Sequence, residues 1–352
     1  MYILSALSLL VVAAIVTFGT SATQLQSVHP VRRATTFQNP ILWEDYPDLD
    51  VFRVGDVFYY SSSTFAFSPG APVLKSYDLV NWVPVSHSVP GLNFGGKYNL
   101  NSATDRAYVK GIWASTLRHR QSNDMFYWVG CVESSKSYVW TGLLIDDDDT
   151  MYVAYGNTNI QVAQLSQDGT SEVRSQSVYR GSSTIEGSRL YKINDAYYIF
   201  VTRPANAEYV LKSKSIWGPY EMRILVDSIP GPLPNAGYSH QGGVVSTKDG
   251  KWYYIAFMDS YPGGRIPVAA PLTWTLDGWP QLVKDGNAWG KTYPMPVQMD
   301  KTVPAPTRND SFVGSELSHE WEWNHNPDNA RWKLSRLWKE TSGRRAGESD
   351  CL

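Results

Sequence analysis

Residues 46–82 read YPDLDVFRVGDVFYYSSSTFAFSPGAPVLKSYDLVNW. In this stretch, short runs of β-branched and aromatic residues are separated by Gly, Pro, Asp and Asn, which favour turns. The pattern predicts an antiparallel sheet of about four strands, with turns at Gly55-Asp56 and at Ser68-Pro69-Gly70. A single sheet of this kind cannot bury both of its faces, so it has to pack against other sheets.

Similar units recur along the rest of the chain. We recognise five, which begin at Asp48, near Trp113, and at residues 142, 185 and 239. Radial repetition of four-stranded sheets buries their faces and leaves only short edges. We therefore predict an all-β fold, a five-bladed β-propeller, followed by a fragment of a β-sandwich domain. A two-sheet sandwich accommodates the same strands and is the alternative.

The units are unevenly spaced. Asp48 and Trp113 are 65 residues apart and Glu186 and His240 are 54 apart, whereas Trp113 and Glu186, which should span two units, are only 73 apart. We expect an internal deletion of roughly 20–40 residues at Trp140, where SYVWT meets GLLIDDDD without turn residues between them.

The composition excludes some classes of protein. A net charge of −2 gives no basis for binding nucleic acid. Aromatic residues make up 13% of the chain and charged residues 18%, a balance that suits β-sheets and surfaces that stack on carbohydrate. The two cysteines, Cys131 and Cys351, do not form a disulfide framework.

The N-terminal segment predicts export from the cell. The first 19 residues are almost continuously apolar, which indicates a secretory signal peptide, with a single-pass anchor as the alternative. We expect a secreted, extracellular protein without a membrane contact after cleavage. The predicted organisation is a signal peptide (1–22), a linker or pro-segment (23–37), the propeller (38–300), a linker with the start of a truncated β-sandwich (301–335) and a disordered tail (336–352).

Functional side chains of a propeller usually come from the innermost strand of each blade. The residues that introduce the units are Asp48, Trp113, Glu186 and His240, with Arg265 later in the fifth unit. Two carboxylates facing one cavity can act as general acid and general base in glycosidic hydrolysis. The alternatives are that Asp48 and Glu186 are turn residues and that His240 is a buried, hydrogen-bonded histidine.

A set of motifs in a fixed order carries a family resemblance. PDLDVFRVGD, VKGIWAS, LLIDDDDTMYVAYG, IEGSRLYKIN, SHQGG and PGGRIPV resemble glycoside hydrolase family 43, in its fungal β-xylosidase and α-L-arabinofuranosidase branch. The resemblance covers residues 38–296. It implies a five-bladed propeller that hydrolyses with inversion, with Asp48 as general base, Glu186 as general acid and their carboxyl groups roughly 6.5–9.5 Å apart.

The resemblance also implies a set of substrate-binding residues. Trp113 is expected to form a wall of the sugar site and Arg265 to contact the substrate, and Phe67 belongs to the same set. His240 falls on an axial histidine, which makes calcium a possible but not required cofactor. The family's third carboxylate tunes the pKa of the acid, and its place is occupied here by Trp140.

We therefore predict an inverting glycosidase that releases xylose or arabinose from xylan- or arabinoxylan-derived oligosaccharides. The alternative is a catalytically impaired, carbohydrate-binding propeller that lacks the third carboxylate. A retaining fructan-type hydrolase is disfavoured because its Asn-Asp-Pro-Asn motif is not found in the sequence.

Overall fold

The computed structural model describes residues 34–132, 141–299, 310, 312 and 315–334. Within these ranges the chain forms β-strands and one short 3₁₀ helix, Gly96–Tyr98. The strands, in chain order, are β1 (Thr36–Gln38), β2 (Asp50–Val54), β3 (Val57–Ser61), β4 (Phe67–Ser68), β5 (Gly70–Ser76), β6 (Val83–Val89), β7 (Ile112–Arg120), β8 (Met125–Val132), β9 (Gly142–Ile145), β10 (Met151–Tyr155), β11 (Asn159–Leu165), β12 (Glu172–Arg180), β13 (Glu186–Ile193), β14 (Ala196–Arg203), β15 (Ala207–Ser213), β16 (Glu221–Asp227), β17 (His240–Ser246), β18 (Trp252–Asp259), β19 (Arg265–Trp274), β20 (Pro280–Leu282), β21 (Thr292–Pro294) and β22 (Trp323–Asn324).

The strands form antiparallel sheets in the order of the chain. Four sheets have four strands each, namely β2-β3-β5-β6, β9-β10-β11-β12, β13-β14-β15-β16 and β17-β18-β19-β20. Between the first and second of these lies a two-stranded sheet, β7-β8. The strands β2, β7, β9, β13 and β17 contact one another in cyclic order, so they are the innermost strands around a common axis. The predicted all-β propeller arrangement is confirmed, with four complete blades in the described residues.

Hydrophobic residues on both faces of the inner strands explain this arrangement. Val51 of β2, Leu190 of β13 and Val244 of β17 are all buried, as expected for strands with a sheet packed on each side. The largest core packs the first four-stranded sheet against the last two. Trp82, just before β6, is completely buried there and meets Tyr60 edge to face.

The two ends of the propeller region pair with each other. β1 runs antiparallel to β21, about 250 residues further along the chain. The Asn39 side chain supports this closure, because its amide nitrogen donates to the carbonyl groups of Ala269 and Gly290 and its oxygen accepts from the Ala269 N–H. These contacts fasten the start of the propeller region to the last sheet.

Residues 315–334 pack on the first sheet. β22 pairs with β4, and the buried His325 donates its backbone N–H to the Ala66 carbonyl and accepts at Nε2 from the Ala107 N–H. His87 Nε2 lies 2.9 Å from Glu322 Oε1. The aromatic segment that we expected to begin a β-sandwich is therefore held against the propeller by backbone and side-chain contacts.

Several predictions fall on residues that the structure does not describe. They concern the signal peptide at 1–22, the junction at Trp140 and the tail at 336–352. In the described part of the chain there is no helix with the length and apolar character needed to span a bilayer.

Candidate active site

Three of the inner strands begin with a β-bulge, in which two residues lie opposite one residue of the partner strand. The bulges lie between Ile112 and Ser115 in β7, between Glu186 and Arg189 in β13, and between His240 and Gly243 in β17. A bulge bends its strand and re-aims the side chains beside it. Trp113, Glu186 and His240, predicted as site residues from the sequence, all lie at these bulges.

Asp48 lies just before β2 and has no exposed surface. Its backbone has a φ of 53°, which is strained for a residue other than glycine and costs roughly 1–3 kcal/mol. One carboxylate oxygen accepts a hydrogen bond from Ser63 Oγ at 2.7 Å, and the other accepts from Arg265 Nη1 at 2.9 Å. Asp48 is therefore a buried, doubly hydrogen-bonded carboxylate and not a solvent-facing turn residue.

Arg265 joins the residues around Asp48 into one charged cluster. Besides its bond to Asp48, its Nε lies 3.3 Å from Asp259 Oδ1, and its backbone N–H donates to Asp45 Oδ1 at 2.7 Å. The second oxygen of Asp259 lies 4.0 Å from His240 Nε2. Burial lowers the pKa of His240, which favours the neutral imidazole. The cluster thus links the last four-stranded sheet to Asp48, which precedes the first four-stranded sheet.

Glu186 is half-buried at the bulge of β13, where its Oε2 accepts a hydrogen bond from Asn157 Nδ2 at 2.9 Å. Burial raises the pKa of Glu186 above the ordinary value for glutamate, and the negative charge of Asp48 raises it further. The hydrogen bond from Asn157 and the positive charge of Arg265 act in the opposite direction. The charge of Asp48 is therefore near enough to influence the protonation of Glu186.

Trp113 and Phe65 form an aromatic wall beside this cluster. Their ring centroids are 5.5 Å apart at an interplanar angle of 83°, and the Arg265 guanidinium lies 5.8 Å from the Phe65 ring. Phe65 and Ile112 exchange backbone hydrogen bonds of 2.8 and 2.9 Å. Gly111 permits this close approach, because a Cβ added there would stand 2.1 Å from the Phe65 carbonyl oxygen and its φ is +102°.

Among the described residues, Phe67 contacts a different part of the chain from Trp113 and Arg265. It is 44% exposed and sits in β4, opposite Asn324 of the segment that packs on the first sheet. Its role in substrate binding stays a prediction, whereas Phe65, two residues earlier, contacts both Trp113 and Arg265.

The surroundings of His240 do not fit a directly bound calcium ion. Calcium takes about six to eight oxygen ligands. His240 Nδ1 hydrogen-bonds to the Tyr238 carbonyl at 3.1 Å, and the nearby Asp259 carboxylate already contacts Arg265. Across the ranges that the structure describes, no group of three or more His, Cys, Asp or Glu residues is arranged to hold a metal.

Besides Asp45, the sequence-based prediction missed four members of the site, Ser63, Phe65, Asn157 and Asp259. Only Asp259 had a signal of position, because it ends an aromatic strand six residues before Arg265. The other three lie in loops or turns, and their roles depend on partners from other parts of the chain. Trp140, which we predicted to stand at the place of the family's third carboxylate, lies outside the described residues.

Comparison with known proteins identifies the family. The model of glycosyl hydrolases family 43 matches residues 37–141 and 136–280. A β-xylosidase of Formosa agariphila is 32% identical, over 85% of this chain and 60% of that protein. A non-reducing end α-L-arabinofuranosidase of Bacteroides ovatus is 30% identical, over 85% of this chain and 63% of that protein.

A solved structure has the same fold and a closer sequence. It belongs to a family 43 glycoside hydrolase whose engineered active site displays both endo-xylanase and exo-arabinofuranosidase activity. It is 58% identical, superposes with a TM-score of 0.80, and the match covers 84% of this chain and 64% of that chain. This chain spans 60–63% of the length of the two curated relatives above. With most of its propeller region matched by the family model, the chain belongs to glycosyl hydrolases family 43.

Proposed function

We propose that this protein is an inverting glycoside hydrolase that releases xylose or arabinose from plant cell-wall polysaccharides or oligosaccharides. Asp48 is the general base that activates water, and Glu186 is the general acid that protonates the leaving oxygen. The observation that carries the proposal is the placement of the two residues: Asp48 precedes β2 and Glu186 begins β13, two of the innermost strands around the common axis, and the charge of Asp48 acts on Glu186. Such a pair is the requirement for acid–base hydrolysis of a glycosidic bond.

The environment of Glu186 suits a general acid. Such a group has to be protonated at the working pH, and both burial and the charge of Asp48 raise the pKa of Glu186. These two influences act without a third carboxylate. The loss of an acidic residue at the place of Trp140 therefore leaves part of the tuning of the acid in place.

The environment of Asp48 suits a base that is exposed only when the site opens. Its carboxylate is surrounded by hydrogen-bond donors and has no exposed surface, while the Arg265 side chain that covers one oxygen is 29% exposed. We infer that the attacking water reaches Asp48 when substrate draws the guanidinium away. Trp113 and Phe65 would stack on or flank the sugar, and Phe67 extends the predicted substrate-binding set.

The substrate class follows from the relatives. Those reported above are named as a β-xylosidase and an α-L-arabinofuranosidase, and the solved relative displays xylan- and arabinose-directed activities. We extend xylan- and arabinoxylan-derived oligosaccharides to this chain as its substrates. We also propose that the chain belongs to the fungal β-xylosidase and α-L-arabinofuranosidase branch of the family.

A sugar-binding propeller with impaired catalysis is the second candidate. It is favoured by one observation, the two-stranded sheet β7-β8 that precedes the junction at Trp140. We infer that this sheet is the remnant of a fifth blade shortened by an internal deletion. In support, the family model matches in two pieces that meet at residues 136–141. We also propose that residues 315–334 belong to the start of a β-sandwich domain.

The test is hydrolysis of an aryl β-xyloside and an aryl α-arabinofuranoside by the purified protein, with the product anomer followed by NMR. Asp48→Asn and Glu186→Gln should each lower kcat/KM by roughly 10²–10⁴-fold. Glu221→Gln, at an exposed position of β16, is the matched control and should leave turnover unchanged. A folded protein that binds xylo-oligosaccharide without turnover would instead favour the second candidate.

We also propose that residues 1–22 direct secretion. Expression with and without this segment tests the idea, since the full chain should appear, processed, in the medium and the shortened chain should remain in the cell. Retention of the full chain in the membrane fraction would favour the anchor that the sequence left as the alternative.

A further inference from the structure

Arg189 is a completely buried cation that the proposed mechanism does not use. It lies three residues after Glu186, at the end of the bulge in β13. Its guanidinium donates to four backbone carbonyl oxygens, those of Asp48 (2.5 Å), Leu49 (2.9 Å), Thr141 (3.1 Å) and Ser188 (3.1 Å). Asp50 Oδ1 is 4.0 Å from the Nε of Arg189. The side chain therefore acts mainly on peptide groups and not as a close ion pair.

Those peptide groups belong to the segment that carries the proposed base. Each of the four successive carbonyls of residues 46–49 accepts a hydrogen bond from a side chain. The first two accept hydrogen bonds from the hydroxyl groups of Tyr60 and Ser62, which follow in the same blade. The last two accept from the guanidinium of Arg189, which belongs to a different blade. Asp48 has the strained positive φ, so its peptide needs external contacts to keep this conformation.

We propose that Arg189 is a positioning residue, which fixes the peptide of Asp48 to the strand that carries Glu186 and thereby sets the placement of the two carboxyl groups relative to each other. The inference rests on the proposed function of that pair. The same guanidinium also bonds Thr141, the first described residue after the Trp140 junction, so it joins three sheets at the axis. Lysine cannot replace it, because an ammonium is a point donor and a guanidinium is a planar fork with five N–H groups.

The kinetic test compares Arg189→Lys with Arg120→Lys. Arg120 is a matched control: it is 2% exposed and donates to the Asp149 carboxylate and the Gln167 carbonyl, outside the charged cluster. Both variants should lower the unfolding temperature. Only Arg189→Lys should lower kcat, by about 10–100-fold with KM nearly unchanged, since a misplacement of about 1 Å in a reacting group costs this much. Equal kcat values for Arg189→Lys and wild type would overturn the proposal.

A second measurement does not depend on turnover. In protein labelled with ¹³C-glutamate, the Glu186 carboxyl signal is assigned with Glu186→Gln and titrated. Because the Asp48 charge raises the pKa of Glu186, a displaced Asp48 should lower it in Arg189→Lys and leave it unchanged in Arg120→Lys. Should Arg189→Lys fail to fold, Arg189→Gln serves in its place, and a lowered pKa again marks displacement.

The two readouts separate the two proposals. An inactive wild type whose Glu186 pKa falls in Arg189→Lys keeps the positioning role and overturns the proposed function. An active wild type with neither kcat nor the Glu186 pKa changed in Arg189→Lys keeps the function and overturns the positioning role.

Discussion

The sheets β13–β16 and β7–β8 have similar inner strands but differ in the number of strands outside them. Both inner strands begin with a bulge of two residues opposite one, and both contact the inner strands of the neighbouring sheets. β13 is followed by three further strands of its own sheet, whereas β7 is followed by one in the described residues. The short sheet thus has the inner strand that carries a site residue, Trp113, but has fewer outer strands than the complete sheet.

The short sheet is held by its neighbour. Half-buried Tyr127 and Val129 of β8 pack against the cluster of Leu143, Met151 and Val153 in the next sheet. The comparison indicates that the inner strands determine the geometry of the site and that the outer strands mainly supply stability. If this is correct, substitutions in the two layers should affect different measurements.

The largest expected effect is on stability in the complete sheet. Val201 of β14 is fully buried, whereas Val129 occupies the corresponding second strand of the short sheet and is only half-buried. Val201→Ala should reduce the free energy of unfolding by about 2–3 kcal/mol, from two lost methyl groups and a cavity, and Val129→Ala by about 1 kcal/mol or less. Denaturant unfolding measures both, and kcat should be unchanged in each. Equal losses would mean that the short sheet is packed as tightly as the complete one.

The next effect is catalytic and belongs to the bulge of β13. Gly187 has a φ of +70°, and a Cβ added there would stand 3.0–3.2 Å from the Gln241 side chain. Gly187→Ala should therefore displace Glu186 and lower kcat by about 10–100-fold. Gly250→Ala is the control, because its φ of +80° imposes the same backbone strain with no neighbour within 4 Å. A loss of stability in both variants with kcat retained would show that the bulge does not aim the acid.

A smaller effect is expected at the bulge of the short sheet. Trp113→Ala removes the partner of Phe65 and one wall of the proposed sugar site, so KM should rise by about 5–10-fold with a modest change in kcat. Trp217→Ala, which removes an indole stacked on Arg174 at 3.9 Å, is the control and should leave KM unchanged. An unaltered KM in Trp113→Ala would mean that the short sheet has lost its part in the site.

Local patterns in the sequence predicted the sheets, because aromatic strands punctuated by Gly, Pro and Asp specify hairpins over a few residues. The pairing of β1 with β21 was not predicted, since strands about 250 residues apart carry no local sign of each other. The aromatic partner of Trp113 was also missed. Regular strand alternation would give Phe65 and Phe67 the same environment, but Phe65 has a φ of 52°, and this breaks the alternation.

The site was predicted at the residues that begin the sheet units and at Arg265, which lies in a motif of the fifth unit. Asp48, Trp113, Glu186 and His240 introduce those units and were found from position and motif. Asn157 and Asp259 are ordinary polar residues in the sequence, and they become part of the site only because turns and bulges bring separate sheets together at the axis.

The smallest expected effect tests the electrostatic link between the first sheet and β13. Asp48→Asn removes a negative charge that raises the pKa of Glu186, so this pKa should fall. Carboxyl ¹³C NMR of Glu186 as a function of pH measures the change, with Asp277→Asn, an exposed carboxylate, as the control. If Glu186 is the general acid, kcat/KM of the wild type should fall as the pH rises through the pKa of Glu186, because the acid then loses its proton. If Asp48→Asn leaves the pKa of Glu186 unchanged, the charge of Asp48 does not tune the acid, and the two carboxyl groups are less closely linked than the arrangement of the inner strands implies.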